Sequence, residues 1–168
     1  MTIDSFKYLS PTSTAIIRTL IAMGPGTEEP IPWTPLARPL SAATVTLVST
    51  AALSTKTDML FDTESERANP WWGDPSYRII PRTATEGDIV ASHLHIDNAY
   101  LLRDLDVALP LRRLDELVRA GFVGSIAPSH YSFQGYLLDP REFLSTSVPA
   151  MVEQMKREAV DAVVFVPV

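Results

Sequence analysis

The 168-residue chain contains no cysteine, so these residues supply no disulfide, no thiolate metal ligand and no cysteine nucleophile. Basic residues are in the minority, because 14 Lys and Arg stand against 20 Asp and Glu and the formal net charge is −6. A surface of that sign repels phosphate backbones and anionic lipids, which makes nucleic acid and membrane poor candidate partners. No window approaches the roughly 20 apolar residues of a membrane span, and we therefore expect a cytoplasmic protein.

Glycine is also sparse, and the seven glycines are spread along the chain. None of them forms a GxGxxG or GxxxxGK[ST] motif after an apolar run, so a nucleotide-dependent enzyme is not expected. What the chain does have is 46% apolar residues, which is enough to build one compact domain of ordinary size.

The N-terminal residues 1–31 are predicted to form a helix and a proline-rich connector. Ser10 precedes Pro11, a favourable combination for the start of a helix, and Ile16 and Ile17 begin its apolar face. Five prolines between residues 25 and 39 predict an extended connector that Trp33 orders against the domain. Residues 32–168 are predicted to form a single α/β domain.

Apolar strand patterns and helical patterns alternate along this domain. The run 43–50 is β-branched almost throughout, as expected for a central strand that is buried on both faces. Segment 51–75 shows neither the helical nor the strand period of apolar residues, which predicts a long loop. Further strands are predicted at 77–80, 88–92, 122–127 and 160–168, and helices are predicted to start at Pro110 and Ser147. This alternation predicts an α/β fold with an open, mainly parallel sheet flanked by helices, a Rossmann-like three-layer arrangement.

Polar residues gather after two of the predicted strands. His93 and Asp97 follow the strand at 88–92, and Ser129 and His130 follow the strand at 122–127. Since ligands of open parallel sheets bind beyond the carboxyl ends of the strands, we expect one crevice with an imidazole acid or base and a carboxylate that orients it. The alternative is structural: a hydrogen-bonded histidine in each place, and Asp97 as a helix cap.

Two other interpretations of these side chains remain open. His93, His95 and Asp97 alternate in a way that would place them on one face of an extended segment, and with His130 they offer metal ligands of plausible type. Trp71, Trp72 and Gly73 are predicted either to form a lid or subunit contact or to fill the core.

Several segments together resemble the selenoprotein B family of glycine, sarcosine, betaine and D-proline reductases, most closely the small subunit of the D-proline reductase type. The resemblance runs in order through residues 32–168, which makes it specific although each piece is short. The matching pieces are 32–35 (PWTP), 45–53 (VTLVSTAAL) with Lys56, 77–81 (YRIIP), Ser92 and His93 with Asp97 and Asn98, 104–106 (DLD), 109–111 (LPL), 114–121, 127–130 (APSH) with Phe133 and Gly135, and 160–164 (VDAVV).

The resemblance implies reductive cleavage of a C–N bond in a small amino-acid-like substrate: a glycine derivative, betaine or a D-proline type. A selenocysteine or cysteine would attack the carbon next to the carboxylate, and no other cofactor and no metal is expected. His93 and His130 are the candidate proton donors or activators of that nucleophile, and Asp97 would orient an imidazole. The expected substrate-binding residues are Ser92, Asn98, Ser129 and Tyr131.

The chain departs from the family pattern at the nucleophile. In the family the reactive residue follows the strand that VDAVVFVPV matches here, whereas this sequence stops at Val168. We therefore expect the nucleophile immediately after Val168 and the C-terminal part of the family fold to be missing. The apolar last strand predicts exposed hydrophobic surface, and hence a homo-oligomer or a partner subunit. The alternatives are a non-catalytic binding or structural subunit and a His/Asp metal-dependent enzyme.

Overall fold

A computed structural model describes residues 10–23, 34–69 and 71–168, within two compact units, Met1–Pro35 and Leu36–Val168. The first unit contains helix α1 (Pro11–Met23), which begins where the sequence predicts. Its start is capped by Ser10, whose hydroxyl oxygen accepts the backbone N–H of Ser13 at 3.0 Å. Most of the predicted proline-rich connector, including Trp33, lies outside the described residues.

The second unit is a mixed α/β structure whose elements follow one another closely. In chain order they are β1 (Thr44–Ser49), β2 (Leu53–Thr55), α2 (Thr63–Ala68), β3 (Tyr77–Pro81), β4 (Ile89–Ala91), α3 (Asn98–Arg103), α4 (Leu111–Arg119), β5 (Ser125–Ile126), β6 (Ser129–Phe133), α5 (Val148–Arg157) and β7 (Ala162–Val166). None of the helices among these residues or in α1 is long and apolar enough to cross a bilayer.

Strand β1 is the centre of the main sheet. Strand β7 pairs with it in parallel along one edge, while β5 and then β6 pair with it in parallel along the other. Strand β3 closes that side as an antiparallel neighbour of β6, and β2 and β4 form a separate antiparallel ribbon. The structure therefore confirms the mainly parallel α/β sheet that the sequence predicts.

Both faces of the sheet are covered, as the β-branched run of β1 predicts. Val45 and Leu47 point to one face, where they join a core that includes Leu111 and Leu114 of α4. Val48 points to the opposite face and packs with Tyr131 of β6, Phe143 and Met151 of α5. Because helices lie on both faces, the arrangement has three layers.

Strand β7 carries the exposed apolar surface that the sequence predicts for the last strand. Val164 is 46% exposed and Phe165 is 69% exposed. Beside them, Val163 and Phe165 line an apolar groove together with residues of α5 such as Val152 and Met155. The outer edge of β7 has no partner strand among the described residues.

Two predictions about local structure are wrong. Segment 51–75 is not one loop, because it contains β2 and α2, and α2 is stabilised by Asp62, which accepts the backbone N–H of Ser65 at 2.9 Å. The predicted strand at 122–127 shortens to β5, and the polar segment after it is strand β6 rather than a loop. His130 is therefore inside a strand and not beyond its carboxyl end.

Candidate functional site

The carboxyl ends of β1 and β6 meet at one edge of the sheet. Ala51, after β1, bridges to Gln134, after β6, and the backbone N–H of Gly135 donates to the carbonyl of Thr50 at 3.0 Å. An added Cβ on Gly135 would come within 2.9 Å of Cβ of Thr50, so the close approach requires glycine. This edge is where an open parallel sheet binds its ligands.

Ala52 connects this edge to the segment that carries two of the histidines. Its backbone N–H donates to Phe133 O at 3.1 Å, and its carbonyl accepts the backbone N–H of Ser92 at 3.0 Å. It is fully buried and holds φ at 51°, a left-handed conformation that alanine rarely adopts. A strained residue thus fixes where the chain after β4 lies.

A buried carboxylate lies at the centre of this region. Glu66 of α2 is 3% exposed, and its Oε1 lies 2.8 Å from Nε2 of His95. Its Oε2 accepts the side-chain amide N–H of Gln134, whose own Oε1 accepts the backbone N–H of Asp74 at 2.6 Å. The carboxylate is therefore held between an imidazole and the residue that directly follows β6, with partners for both oxygens as a buried polar group requires.

His93 lies next to this cluster but faces inward. It is 6% exposed, and its Nδ1 accepts the backbone N–H of His95 at 3.1 Å. Burial lowers the pKa of His93, and the neighbouring His95 acts in the same direction. Asn98 donates its amide N–H to the carbonyl of His93 at 3.0 Å, while the buried Oδ1 of Asn98 has no hydrogen-bond partner.

His95 is the histidine that reaches solvent. Half of its side-chain surface is exposed, and its ring lies on Tyr136 with 4.4 Å between the ring centroids. Tyr136 in turn contacts the loop that contains Gly73, where an added Cβ would overlap with the Tyr136 carbonyl oxygen. The same loop contributes Trp71 and Trp72 to a cleft of about 340 Å³ with Asp139 and Arg141. Since Trp71 is 76% exposed, it does not fill the core.

His130 lies deep in the sheet. It is fully buried in β6, where its Nδ1 accepts the backbone N–H of Leu47 at 3.0 Å. That contact places the ring proton on Nε2, which is buried without a hydrogen-bond partner. Burial lowers the pKa of His130 to about 4, against the opposing effect of Glu158. No hydrogen bond or ion pair joins it to His93 or to Asp97.

The other predicted site residues are distributed over both faces of the sheet. Asp97 caps α3, because its carboxylate accepts the backbone N–H of Ala99 at 2.9 Å. Ser129 donates its hydroxyl to Glu158 at 2.6 Å. Tyr131 packs beneath α5 with a buried hydroxyl that has no partner, and burial raises its pKa to about 12. Ser92 is held through its backbone.

Sequence analysis missed Glu66, the carboxylate that contacts an imidazole here. Its helix is only six residues long and shows no apolar period, so segment 51–75 gave no helical signal beyond Asp62 as a cap. For the metal interpretation, we find no group of three or more His, Asp or Glu in residues 10–23, 34–69 and 71–168 that could hold an ion.

Comparison with known proteins identifies one curated relative. No protein-family profile and no solved structure matches the chain. The chain is 33% identical over 141 residues to the D-proline reductase subunit gamma of Acetoanaerobium sticklandii. The match covers 84% of this chain and 54% of the relative, so the chain spans about half the length of that protein. The chain is thus similar to a reductase subunit, in agreement with the resemblance carried by its motifs.

Proposed function

We propose that this chain is part of a subunit of a reductase that cleaves a C–N bond in a small amino-acid-like substrate. The observation that carries the proposal is the similarity to a D-proline reductase subunit over 84% of the chain. The polar cluster at the carboxyl edge of β1 and β6 supports it, because this edge is the ligand-binding position of the fold class. The proposed substrates are a glycine derivative, betaine or a D-proline type.

The overall reaction replaces a C–N bond by a C–H bond and releases the nitrogen as an amine. It consumes two electrons and two protons, and we propose a dithiol as the electron donor. A selenolate or thiolate would first displace the amine at the carbon next to the carboxylate. Since the 168 residues contain no cysteine, the nucleophile would come from residues outside them.

The position of the last residues supports a nucleophile that follows β7. The backbone N–H of Thr50 donates to the carbonyl of Val166 at 3.2 Å, and the backbone N–H of Val168 donates to the hydroxyl of Thr50 at 2.9 Å. Thr50 belongs to the edge that also holds Gly135 and Gln134. A residue directly after Val168 would therefore enter this edge.

Among the predicted residues, His93 and Asn98 are those we propose to act at this edge. The unpartnered Oδ1 of Asn98 is an acceptor beside His93 that a substrate N–H or O–H could occupy after a small movement. For His130, Ser129 and Tyr131 we propose only an indirect role in the same reaction. They would act by holding β6 and α5 in place. No arrangement of oxygen and nitrogen ligands among the described residues favours the alternative of a metal-dependent reaction.

The proposal is tested on the protein purified through a tag on its chromosomal copy, so that any continuation of the chain and any partner subunit are retained. D-proline, glycine, sarcosine and betaine are incubated with dithiothreitol, and the released amine or ring-opened product is measured by mass spectrometry. We expect dithiol-dependent cleavage of one substrate. Alkylation with iodoacetamide should abolish it, because the nucleophile is a thiolate or selenolate.

A control variant separates the nucleophile from general thiol effects. Serine is introduced at the first selenocysteine or cysteine after β7, and this variant should lose cleavage while its thermal unfolding is unchanged. If the native complex cleaves none of the four substrates although it is folded, the reductase proposal is wrong and the non-catalytic subunit is favoured.

A further inference from the structure

We propose that His95 is the acid that protonates the leaving amine and that Glu66 is the residue that positions it. This inference rests on the proposed function. The sequence analysis does not name Glu66 and names His95 only as a candidate metal ligand. The inference depends on the contacts of the two side chains with each other and with their neighbours.

Exposure distinguishes His95 from the other two histidines. The side chain of His95 is 50% exposed, whereas His93 is 6% exposed and His130 is fully buried. An acid must reach the atom that it protonates within hydrogen-bond distance. Among the three imidazoles, only that of His95 is open to a small molecule without rearrangement of the core.

The contacts of His95 fix which nitrogen faces the solvent. Nε2 lies 2.8 Å from Oε1 of Glu66, and Nδ1 has no hydrogen-bond partner among the described residues. An ionised carboxylate accepts hydrogen bonds and donates none, so Nε2 carries the hydrogen in this pair. Nδ1 is then the nitrogen from which a proton can pass to a molecule bound at the open side of the ring.

The carboxylate behind the ring is itself held in place. Glu66 is buried, and its second oxygen accepts the amide N–H of Gln134, which directly follows β6. The ring plane of His95 is further restricted by Tyr136 at 4.4 Å between centroids. The imidazole is therefore fixed on a rigid sheet end, as an acid–base group requires.

The proposed step is a nucleophilic displacement with a proton transfer. The electron pair of the selenolate or thiolate forms a bond to the substrate carbon, and the C–N bond breaks with its electron pair on nitrogen. When that nitrogen carried no positive charge in the substrate, the proton on Nδ1 of the His95 imidazolium passes to it, whereas the quaternary nitrogen of betaine leaves as a neutral amine without this transfer. The amine leaves neutral, and His95 remains as a neutral imidazole with its Nε2–H on Glu66.

The test uses the chromosomally tagged native complex with His95→Gln, His95→Gly and Glu66→Gln. We expect His95→Gln to lower kcat for amine release about 100-fold with KM changed less than threefold, because general acid catalysis is worth on the order of 10²–10⁴ in rate. Added imidazole should restore part of the activity of His95→Gly. Glu66→Gln should lower kcat about tenfold, and the matched control Glu64→Gln, on the exposed side of the same helix, should not.

Leaving-group dependence separates an acid from a residue that only supports the fold. Some glycine derivatives release amines that are weaker bases, and such amines need less protonation as they leave. With these substrates, His95→Gln should lower kcat less than tenfold. The inference is overturned if the native complex releases amine and His95→Gln stays within twofold of it. An equal loss for all leaving groups without rescue by imidazole also overturns it, while the reductase proposal stands. Absence of amine release by the native complex overturns both.

Discussion

Replacing Gly73 with alanine is expected to lower the free energy of unfolding of the Leu36–Val168 unit by about 3 kcal/mol, at the upper end of the cost of overpacking. A Cβ at this position would overlap with the backbone carbonyl oxygen of Tyr136 and lie 3.2 Å from a methyl carbon of Leu137. The carbonyl belongs to the backbone, so it does not move aside as a flexible side chain would.

The loop cannot simply shift away from Tyr136, because the next residue is anchored. Asp74 is 7% exposed, and its backbone N–H donates to Gln134 at 2.6 Å. Its carboxylate accepts the backbone N–H groups of Asp62 at 2.9 Å and Ser76 at 2.8 Å. Displacing Gly73 would therefore break buried hydrogen bonds as well as separate the two loops.

The measurement is urea unfolding of the wild type and the variant, with Gly87→Ala as the matched control. A Cβ on Gly87 would meet only the hydroxyl of Thr85 at 3.6 Å, an ordinary contact, so this control should remain within about 0.5 kcal/mol of wild type, the usual range for a surface change. A Gly73→Ala variant as stable as Gly87→Ala would show that the two loops separate freely.

Lowering the pH from 7.5 to 4 is expected to decrease the free energy of unfolding by about 3 kcal/mol because of the protonation of His130 alone. The pKa of His130 is lowered from 6.5 to about 4 by burial in the folded chain, while the unfolded chain keeps the ordinary value. Between pH 6.5 and 4, His130 therefore binds a proton in the unfolded state but not in the folded state. The contribution is complete above pH 6.5 and is lost as the pH falls towards 4.

The variant His130→Asn isolates this contribution. Its side-chain oxygen replaces Nδ1 as the acceptor for the Leu47 N–H, and it does not titrate. We measure urea unfolding from pH 7.5 to 4 and subtract the variant from the wild type, which removes the effect of carboxylates such as Asp139, whose pKa is also lowered by Arg141. If the difference is independent of pH, the pKa of His130 is the same in the folded and unfolded chains, and its burial is not as the structure has it.

The parts of the fold that sequence analysis predicts correctly are those with a repeated signal. The β-branched run of β1 and the period of α4 each involve six or more residues of one pattern. Pro110 and Gly121 mark the ends of α4, and Gly121 has the positive φ of 77° that favours glycine. Such signals depend on local sequence, so they survive in the folded chain.

The parts that it predicts wrongly depend on contacts between distant segments. Polar residues such as Ser132 and His130 indicate a loop in the sequence. In the folded chain β6 can be buried because these side chains accept backbone N–H groups from Leu53 and Leu47 of other strands. Glu66 likewise acquires its role only from His95, 29 residues away, and from Gln134, 68 residues away. No local pattern contains these partners.

The central position of β1 has a consequence for how the chain reaches its fold. Leu47 bonds to a residue 83 positions later, and Thr44 bonds to Asp161, 117 positions later. Strands joined across such distances close large loops before they gain contacts, which slows folding. During synthesis β1 leaves the ribosome early and stays an unpaired apolar segment until β6 and β7 have also emerged. We therefore expect chaperones to bind the nascent chain mainly between these two events.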